Sequence, residues 1–270
     1  MSATDARFSG SIPAIYDQYL GALLFEPYAQ DLAQRVSDLQ QGLLLEVAAG
    51  TGIVTQALRA RLPKAVQIVA TDLNEAMLRV GAKREQDPSV TWQQADALQL
   101  PFADASADII ACQFGVMFFP DRRAGYREAL RVLKPAGRYV INVWDQLEKN
   151  EVSLIGAQAV AQLFPSDPPR FIERTPFGYF DVAAIRADLE SAGFSRIALD
   201  TVEKVTHAPS AEHVAIGLCT GTPLRSEIEA RDATRLDEAT AAVTQALSAR
   251  FGRGSIENRM SAHVVTAWRS

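Results

Sequence analysis

Residues 43–58, LLLEVAAGTGIVTQAL, constrain the fold more than any other stretch of the chain. An apolar run ends at Glu46 and Val47, breaks into Ala48-Ala49-Gly50-Thr51-Gly52, and passes at once into an amphipathic helical pattern. A strand that turns through glycines into a helix brings bare backbone and the positive end of a helix to one point. α/β folds hold nucleotide-like ligands there. The alternation continues: residues 66–71, 90–94, 108–112 and 138–144 read as further strands. Helices are expected over 53–62 (stopped by Pro63), after Asn74 as N-cap, and over 121–133, with Tyr126, Leu130 and Leu133 on one face. Lys134–Gly137, KPAG, reads as a turn. Apolar strands alternating with helices imply a mostly parallel sheet covered on both faces.

The flanks are less regular. Residues 1–10 read as a tail. Residues 11–36, SIPAIYDQYLGALLFEPYAQDLAQRV, read as helices, with Pro27 at a first helical position and Tyr28, Leu32 and Leu39 on one face. Residues 150–163 read as helix, 164–180 as a loop rich in proline and aromatics, and 181–192 as a helix capped by Asp181 and stopped near Gly193. Strands are expected over 195–205 and 260–268, with about fifty mostly helical residues between them. The expected division is a helical lid over 1–40, a core over 41–207 and 256–270, and a helical cap insertion over 208–255.

A chain of 270 residues with 48% hydrophobic residues can bury a core without metal or disulfide staples. The net charge of −5, with no run of lysine or arginine, argues against a nucleic-acid groove. No apolar stretch approaches the ~18 residues of a membrane span, and no secretory leader stands out. Cys112 and Cys219 lie far apart with no CxxC, so neither a disulfide framework nor a metal site is indicated. The expectation is a cytoplasmic monomer or homodimer without membrane or nucleic-acid partners.

Ligands of open parallel sheets bind outside the C-terminal strand ends. Here those ends carry Glu46, Asp72, Asp96 (in QQADAL), and Gln113 with Phe114 (in CQFGVMF). Asp72 lies 20 residues past Gly52, where dinucleotide folds place a ribose-binding acid. The dinucleotide pattern fails, however, because its third glycine position is Thr55. Three carboxylates would also repel a pyrophosphate. They suit a ligand with ribose hydroxyls, an adenine amine and a positive charge, which S-adenosylmethionine combines.

Four motifs in order, LLLEVAAGTG, VATDLNEAML, QQADALQLPFADASADII and ALRVLKPAGRYVI, carry a resemblance. Over residues 12–144 the chain resembles the class I S-adenosylmethionine-dependent methyltransferases. The likeness is strongest to the small-molecule group that includes ubiquinone and menaquinone biosynthesis methyltransferases. The resemblance implies a doubly wound, seven-stranded, mostly parallel sheet whose last two strands form a hairpin beside the fifth. It implies that Ala48, Gly50, Thr51 and Gly52 form the cofactor turn and that Glu46 faces the methionine ammonium. Asp72 would take both ribose hydroxyls, with Leu73 and Met77 against the adenine. Asp96 would accept the adenine amino group near Ala97. Gln113 would offer its carbonyl near the methionyl group, with Phe114 beside the reaction centre and Tyr16 and Tyr19 closing over the cofactor. Ala48 departs from the family, which commonly has glycine there; a slightly altered turn with retained binding is expected.

The expected reaction is methyl transfer to a small, apolar or aromatic acceptor. Phe164, Phe171, Phe177, Tyr179 and Phe180 either line an apolar pocket or hold a long loop down. His207 and Tyr19 are the candidates for a catalytic base, with His213 and His263 the other histidines; each has an ordinary structural reading. Two alternatives stay open: a protein that binds S-adenosylmethionine without transferring methyl, and a nicotinamide-dependent dehydrogenase, against which Thr55 and the three acids weigh.

Overall fold

The computed structural model describes residues 10–270, so the tail reading for 1–9 lies outside the described residues. Helix α1 (Ile12–Leu20) runs through a π-helical stretch, Gly21–Phe25, into α2 (Glu26–Arg35). The alternating unit follows: β1 (Gly42–Val47), α3 (Ile53–Arg61), β2 (Val66–Asp72), α4 (Glu75–Arg84), β3 (Val90–Gln94), β4 (Ala107–Gln113), α5 (Arg122–Val132) and β5 (Leu133–Trp144). Then come α6 (Glu151–Leu163), α7 (Phe171–Arg174), α8 (Val182–Ala192) and β6 (Arg196–Ala208). Three helices, α9 (Ala211–Thr220), α10 (Leu224–Asp232) and α11 (Leu236–Phe251), precede β7 (Ile256–Trp268).

All seven strands join one sheet in the order β3-β2-β1-β4-β5-β7-β6. The first five are parallel, and β7 runs antiparallel between β5 and β6. Leu44, Leu45, Ile68, Ile110, Val140 and Val265 are fully buried, as continuous apolar strands covered on both faces require. The strand order reverses between β1 and β4, which places the switch point, and the cleft, at their C-terminal ends.

Several local expectations are revised. The KPAG segment lies within β5 as a wide bulge: pairing with β4 jumps from Ala107↔Leu133 to Ile109↔Arg138, and Ala136 absorbs the extra length at φ 62°. Leu39 lies beyond the end of α2 and packs on the core from the following loop. Asn74 holds the N-cap position of α4 without a capping bond, because its amide donates to Asp72 Oδ1 at 3.3 Å. Asp121 and Asp181, by contrast, cap α5 and α8, accepting from Ala124 and Ala183 backbone N–H groups at 2.9 and 2.8 Å. The aromatic loop 164–180 contains the short helix α7. Strands β6 and β7 pair without a break from Arg196↔Trp268 to Ala208↔Ile256, so the interrupting segment is 209–255.

That segment is helical and packed. Val243 and Leu247 of α11 are fully buried, and Leu236 is partly so. Helices α9 and α11 pack on each other, α9 on α1, and α11 on α6. Close approach of α9 to α1 depends on Gly217 and Gly221, four residues apart on one face. A Cβ at Gly217 would stand 2.6 Å from Leu20 Cδ2, and one at Gly221 3.1 Å from Tyr16 N. Among the described residues, no helix is long and apolar enough to cross a membrane.

Candidate active site

The turn after β1 is held from below and left bare above. Gly52 caps α3 at φ 80°, and a Cβ there would lie 2.7 Å from the Trp92 ring, which packs beneath the turn. Gly50, at φ 57°, faces open space. Ala48 adopts φ 55°, the left-handed conformation that explains the glycine common at this position in the resembled family. Asp72, at the end of β2, ties the turn in place: Oδ2 accepts from Gly50 N at 2.9 Å and Oδ1 from Asn74 N at 2.7 Å. Burial raises the Asp72 pKa above the ordinary carboxylate value, with these backbone donors working against the rise.

One cleft gathers most of the expected cofactor residues. Tyr16, Ala48, Gly50, Asp72, Leu73, Met77, Asp96, Ala97, Gln113 and Phe114 line it, together with Val47, Asn74 and Gly115. Its empty space, open mouth included, is about 780 Å³. Leu73 is half exposed to it, and Asp96 sits at its rim with Oδ1 accepting from Leu98 N at 2.9 Å.

Glu46, Thr51, Gly52 and Tyr19 do not line the cleft. Successive strand residues point to opposite faces, so Val47 reaches the cleft while Glu46 turns inward. Glu46 is 1% exposed and accepts from Thr55 Oγ1 at 2.6 Å. Burial pushes its pKa up to about 8; the Thr55 hydroxyl opposes this and the Asp72 charge adds to it. Thr51 Oγ1 is buried with no hydrogen-bond partner, while the Thr51 carbonyl accepts from Arg84 Nε at 3.0 Å. Arg84 also binds Asp17 of α1, fastening that helix to the turn. Tyr19 faces α9, with its ring 4.7 Å from that of His213.

A second chamber adjoins the first. It is lined by Leu20, Leu24, Phe25, Trp144, Ser153, Phe171, Ile172, Pro176, Phe177, Leu218 and Thr222, and shares Tyr16, Phe114 and Phe118 with the cleft. Phe114 stacks on Trp144 with centroids 3.9 Å apart and planes 7° from parallel, and Tyr28 meets both rings edge-on. Phe114 sits at φ 49°, held there by its N–H, which donates to Asn142 O at 3.0 Å and Oδ1 at 3.1 Å. A side chain kept in the left-handed region where two cavities meet is the kind of strain that functional sites store.

The aromatic cluster of 164–180 is divided. Phe171 and Phe177 line the chamber, whereas Tyr179 hydrogen-bonds Asp188 and Tyr126, Phe164 lies under the Arg235 guanidinium, and Phe180 leaves about a third of its surface exposed. No histidine lines either space. His207 is exposed on β6, His213 contacts Tyr19, and His263 is buried between Asp145 and Thr201. His207 and Tyr19 line neither space. Sequence reading missed Leu24, Phe25, Trp144 and Ser153. Leu24, Phe25 and Trp144 carry only the apolar or aromatic character that any core residue shares, and Ser153 carries no signal at all.

Residues 45–141 match the family model described as "Methyltransferase domain". Over 178 residues the chain is 31% identical to the ubiquinone/menaquinone biosynthesis C-methyltransferase UbiE of Idiomarina loihiensis, covering 60% of this chain and 70% of that protein. It is 33% identical to the demethylmenaquinone methyltransferase of Thermobifida fusca, over 58% of this chain and 70% of that one. In fold it is similar to the phosphoethanolamine N-methyltransferase 2 of Haemonchus contortus (TM-score 0.60, 16% identity, 95% of this chain and 56% of that chain). The chain belongs to the class I S-adenosylmethionine-dependent methyltransferases. Its curated relatives place it beside the ubiquinone and menaquinone biosynthesis enzymes of that class. The cleft fits the cofactor. It offers bare backbone at Gly50, carboxylates at Asp72 and Asp96 for hydroxyl and amine donors, and apolar Leu73 and Met77 between them.

Proposed function

We propose that the cleft holds S-adenosylmethionine with its methyl directed between Tyr16, Phe114 and Phe118, and that the second chamber holds an uncharged aromatic acceptor of quinol type. The observation that carries this reading is the shared lining: those three side chains border both spaces, so the two adjoin where a methyl donor and its acceptor would meet. Asp72 takes the ribose hydroxyls, with lone pairs beyond those used by Gly50 and Asn74. Asp96 takes the adenine amino group, Leu73 and Met77 flank the adenine, and Ala48 and Gly50 lie under the methionyl chain. Glu46 acts from behind the turn, fixing Thr55 at the start of α3.

The cofactor supplies a methyl group already activated by its sulfonium. The protein's work is alignment and the exclusion of water. Both are served by Phe114, wedged between Trp144, Tyr28 and Phe25. The chamber lining has no imidazole, carboxylate, amine or guanidinium. An acceptor made nucleophilic by its own substituents, such as a hydroxylated ring, suits such a lining. The relatives' names, demethylmenaquinone methyltransferase and ubiquinone/menaquinone biosynthesis C-methyltransferase, support a quinone-type ring and carbon as the methylated atom. Residues 12–35 act as lid and 209–255 as cap, supported by Tyr16 from the first and Leu218 and Thr222 from the second, all lining the chamber.

Methyl-labelled cofactor with a panel of reduced naphthoquinones, phenols, amines and carboxylic acids tests this. Label should pass to the uncharged aromatic compounds. Transfer confined to charged amines or carboxylates would contradict it.

A further inference from the structure

The lining of the second chamber is mostly apolar; its polar groups are the Tyr16 phenol, the Trp144 indole N–H and two aliphatic hydroxyls, Ser153 and Thr222. The last two differ in state. Thr222 Oγ1 donates to Leu218 O at 2.8 Å and accepts from Leu224 N at 3.2 Å, so it is used in joining α9 to α10. Ser153 is 6% exposed and lines the chamber, and its hydroxyl makes no hydrogen bond with any described residue. The Ser153 hydroxyl is thus free to bond a guest, and alanine would be the better helix former at that position.

Its position is also fixed. Asn150, at the start of α6, donates to Gln146 O and Ser261 O and accepts from Ser261 N, pinning the first turn of the helix to β7. The rings of the lining pack on one another: Trp144 and Phe177 stack with centroids 5.7 Å apart and planes 29° from parallel, and Phe114 stacks on Trp144. A planar guest lying against these rings shares a lining with Ser153, whose hydroxyl can meet one polar edge of it.

We infer that Ser153 is the polar anchor of the acceptor chamber and a specificity-determining residue. It hydrogen-bonds one uncharged oxygen, hydroxyl or carbonyl, on an otherwise apolar planar substrate. This deepens the reading that the second chamber holds the acceptor and rests on it. The inference assigns a substrate class: one neutral oxygen at the edge of an aromatic frame, and no anionic group, since no cationic side chain lines the chamber.

The test is binding of three probes, naphthalene, 2-naphthol and 2-naphthoate, to the full chain in the presence of S-adenosylhomocysteine. The wild type should bind 2-naphthol about fivefold to tenfold more tightly than naphthalene, the size of one net neutral hydrogen bond. It should bind 2-naphthoate most weakly. Ser153→Ala should erase the naphthol preference, leave naphthalene affinity unchanged, and unfold at the same temperature or higher. Equal affinity of the wild type for naphthalene and 2-naphthol would overturn the inference. So would a preference that survives Ser153→Ala, or an equal loss for both probes in that variant, which would mark a packing role. Calorimetry with S-adenosylhomocysteine on the same samples keeps the two readings apart. Failure to bind it breaks the cofactor assignment, whereas binding it without a Ser153-dependent naphthol preference breaks only the anchor.

Discussion

The cleft takes all its walls but Tyr16 from residues 47–120, while the second chamber, proposed to hold the acceptor, takes its walls from α1, the π-helical stretch, the turn after β4, β5, α6, the 164–180 loop, α9 and the turn after it. The cleft presents carboxylates and bare backbone; the chamber presents rings and aliphatic side chains. The first is built where strands end, so the sheet itself positions it. The second exists only because helices from distant parts of the chain close against one another. Cofactor binding should therefore depend on a few polar groups, and acceptor binding on the fit of packed surfaces.

Asp72→Ala should show the first dependence most strongly. Two charge-assisted bonds to ribose hydroxyls are worth ~1.5 kcal/mol or more each, so affinity for S-adenosylhomocysteine should fall on the order of 100-fold by calorimetry. Binding of 2-naphthol should change little. Equal losses in both would break the comparison. Gly217→Val probes the other half. The added side chain would collide with Leu20 and Tyr19, and overpacking of this kind costs about 1–3 kcal/mol. Thermal unfolding should occur at lower temperature, and methyl transfer should fall more than cofactor affinity.

How much was legible in the sequence follows the same division. Asp72, Asp96, Gly50 and Ala48 could be placed because a strand end is marked by its own neighbours in sequence. Glu46 shows the limit: the strand was read correctly, but the pleat turned that side chain to the inner face and gave it Thr55 as partner. The chamber was not legible, because Phe25, Trp144 and Ser153 become neighbours only through tertiary packing. Phe171 and Phe177 could not be told from Phe164 and Phe180 by composition, since all four are aromatic residues of one loop. Residues 215–224, AIGLCTGTPL, carry no charge, and Leu218 and Thr222 among them line the chamber. The spacing of Gly217 and Gly221 was the unread part, a face small enough for α1 to lie against.

The buried acid predicts a pH dependence. Glu46 has a folded pKa of about 8 against an ordinary 4.5, so the folded protein keeps a proton that the unfolded chain has released. Its contribution is most favourable below pH 4.5 and is lost as pH rises to about 8, by up to ~1.4 kcal/mol per pH unit, after which it is flat. Asp72, also raised by burial, tilts stability the same way. Glu46→Gln keeps the size and the Thr55 partner, and should make the fall in melting temperature across this window shallower. An unchanged slope would place the titration elsewhere.

The smallest expected effect is at Ala48. Left-handed backbone costs a non-glycine residue about 1–2 kcal/mol, and glycine's extra chain entropy returns about 0.5–1. Ala48→Gly should therefore stabilise the protein by about 0.5–1 kcal/mol in denaturant unfolding, with cofactor affinity retained. A destabilised variant would mean that the Ala48 methyl, which stands over Gly115, contributes packing that outweighs its strain.

The division between the two spaces meets its most direct test in a crystal structure with S-adenosylhomocysteine bound. The account predicts ribose hydroxyls within hydrogen-bond distance of Asp72, the adenine between Leu73 and Met77 with its amine at Asp96, and the sulfur facing the wall of Tyr16, Phe114 and Phe118. A ligand whose sulfur points away from that wall, leaving no path into the chamber, would contradict it.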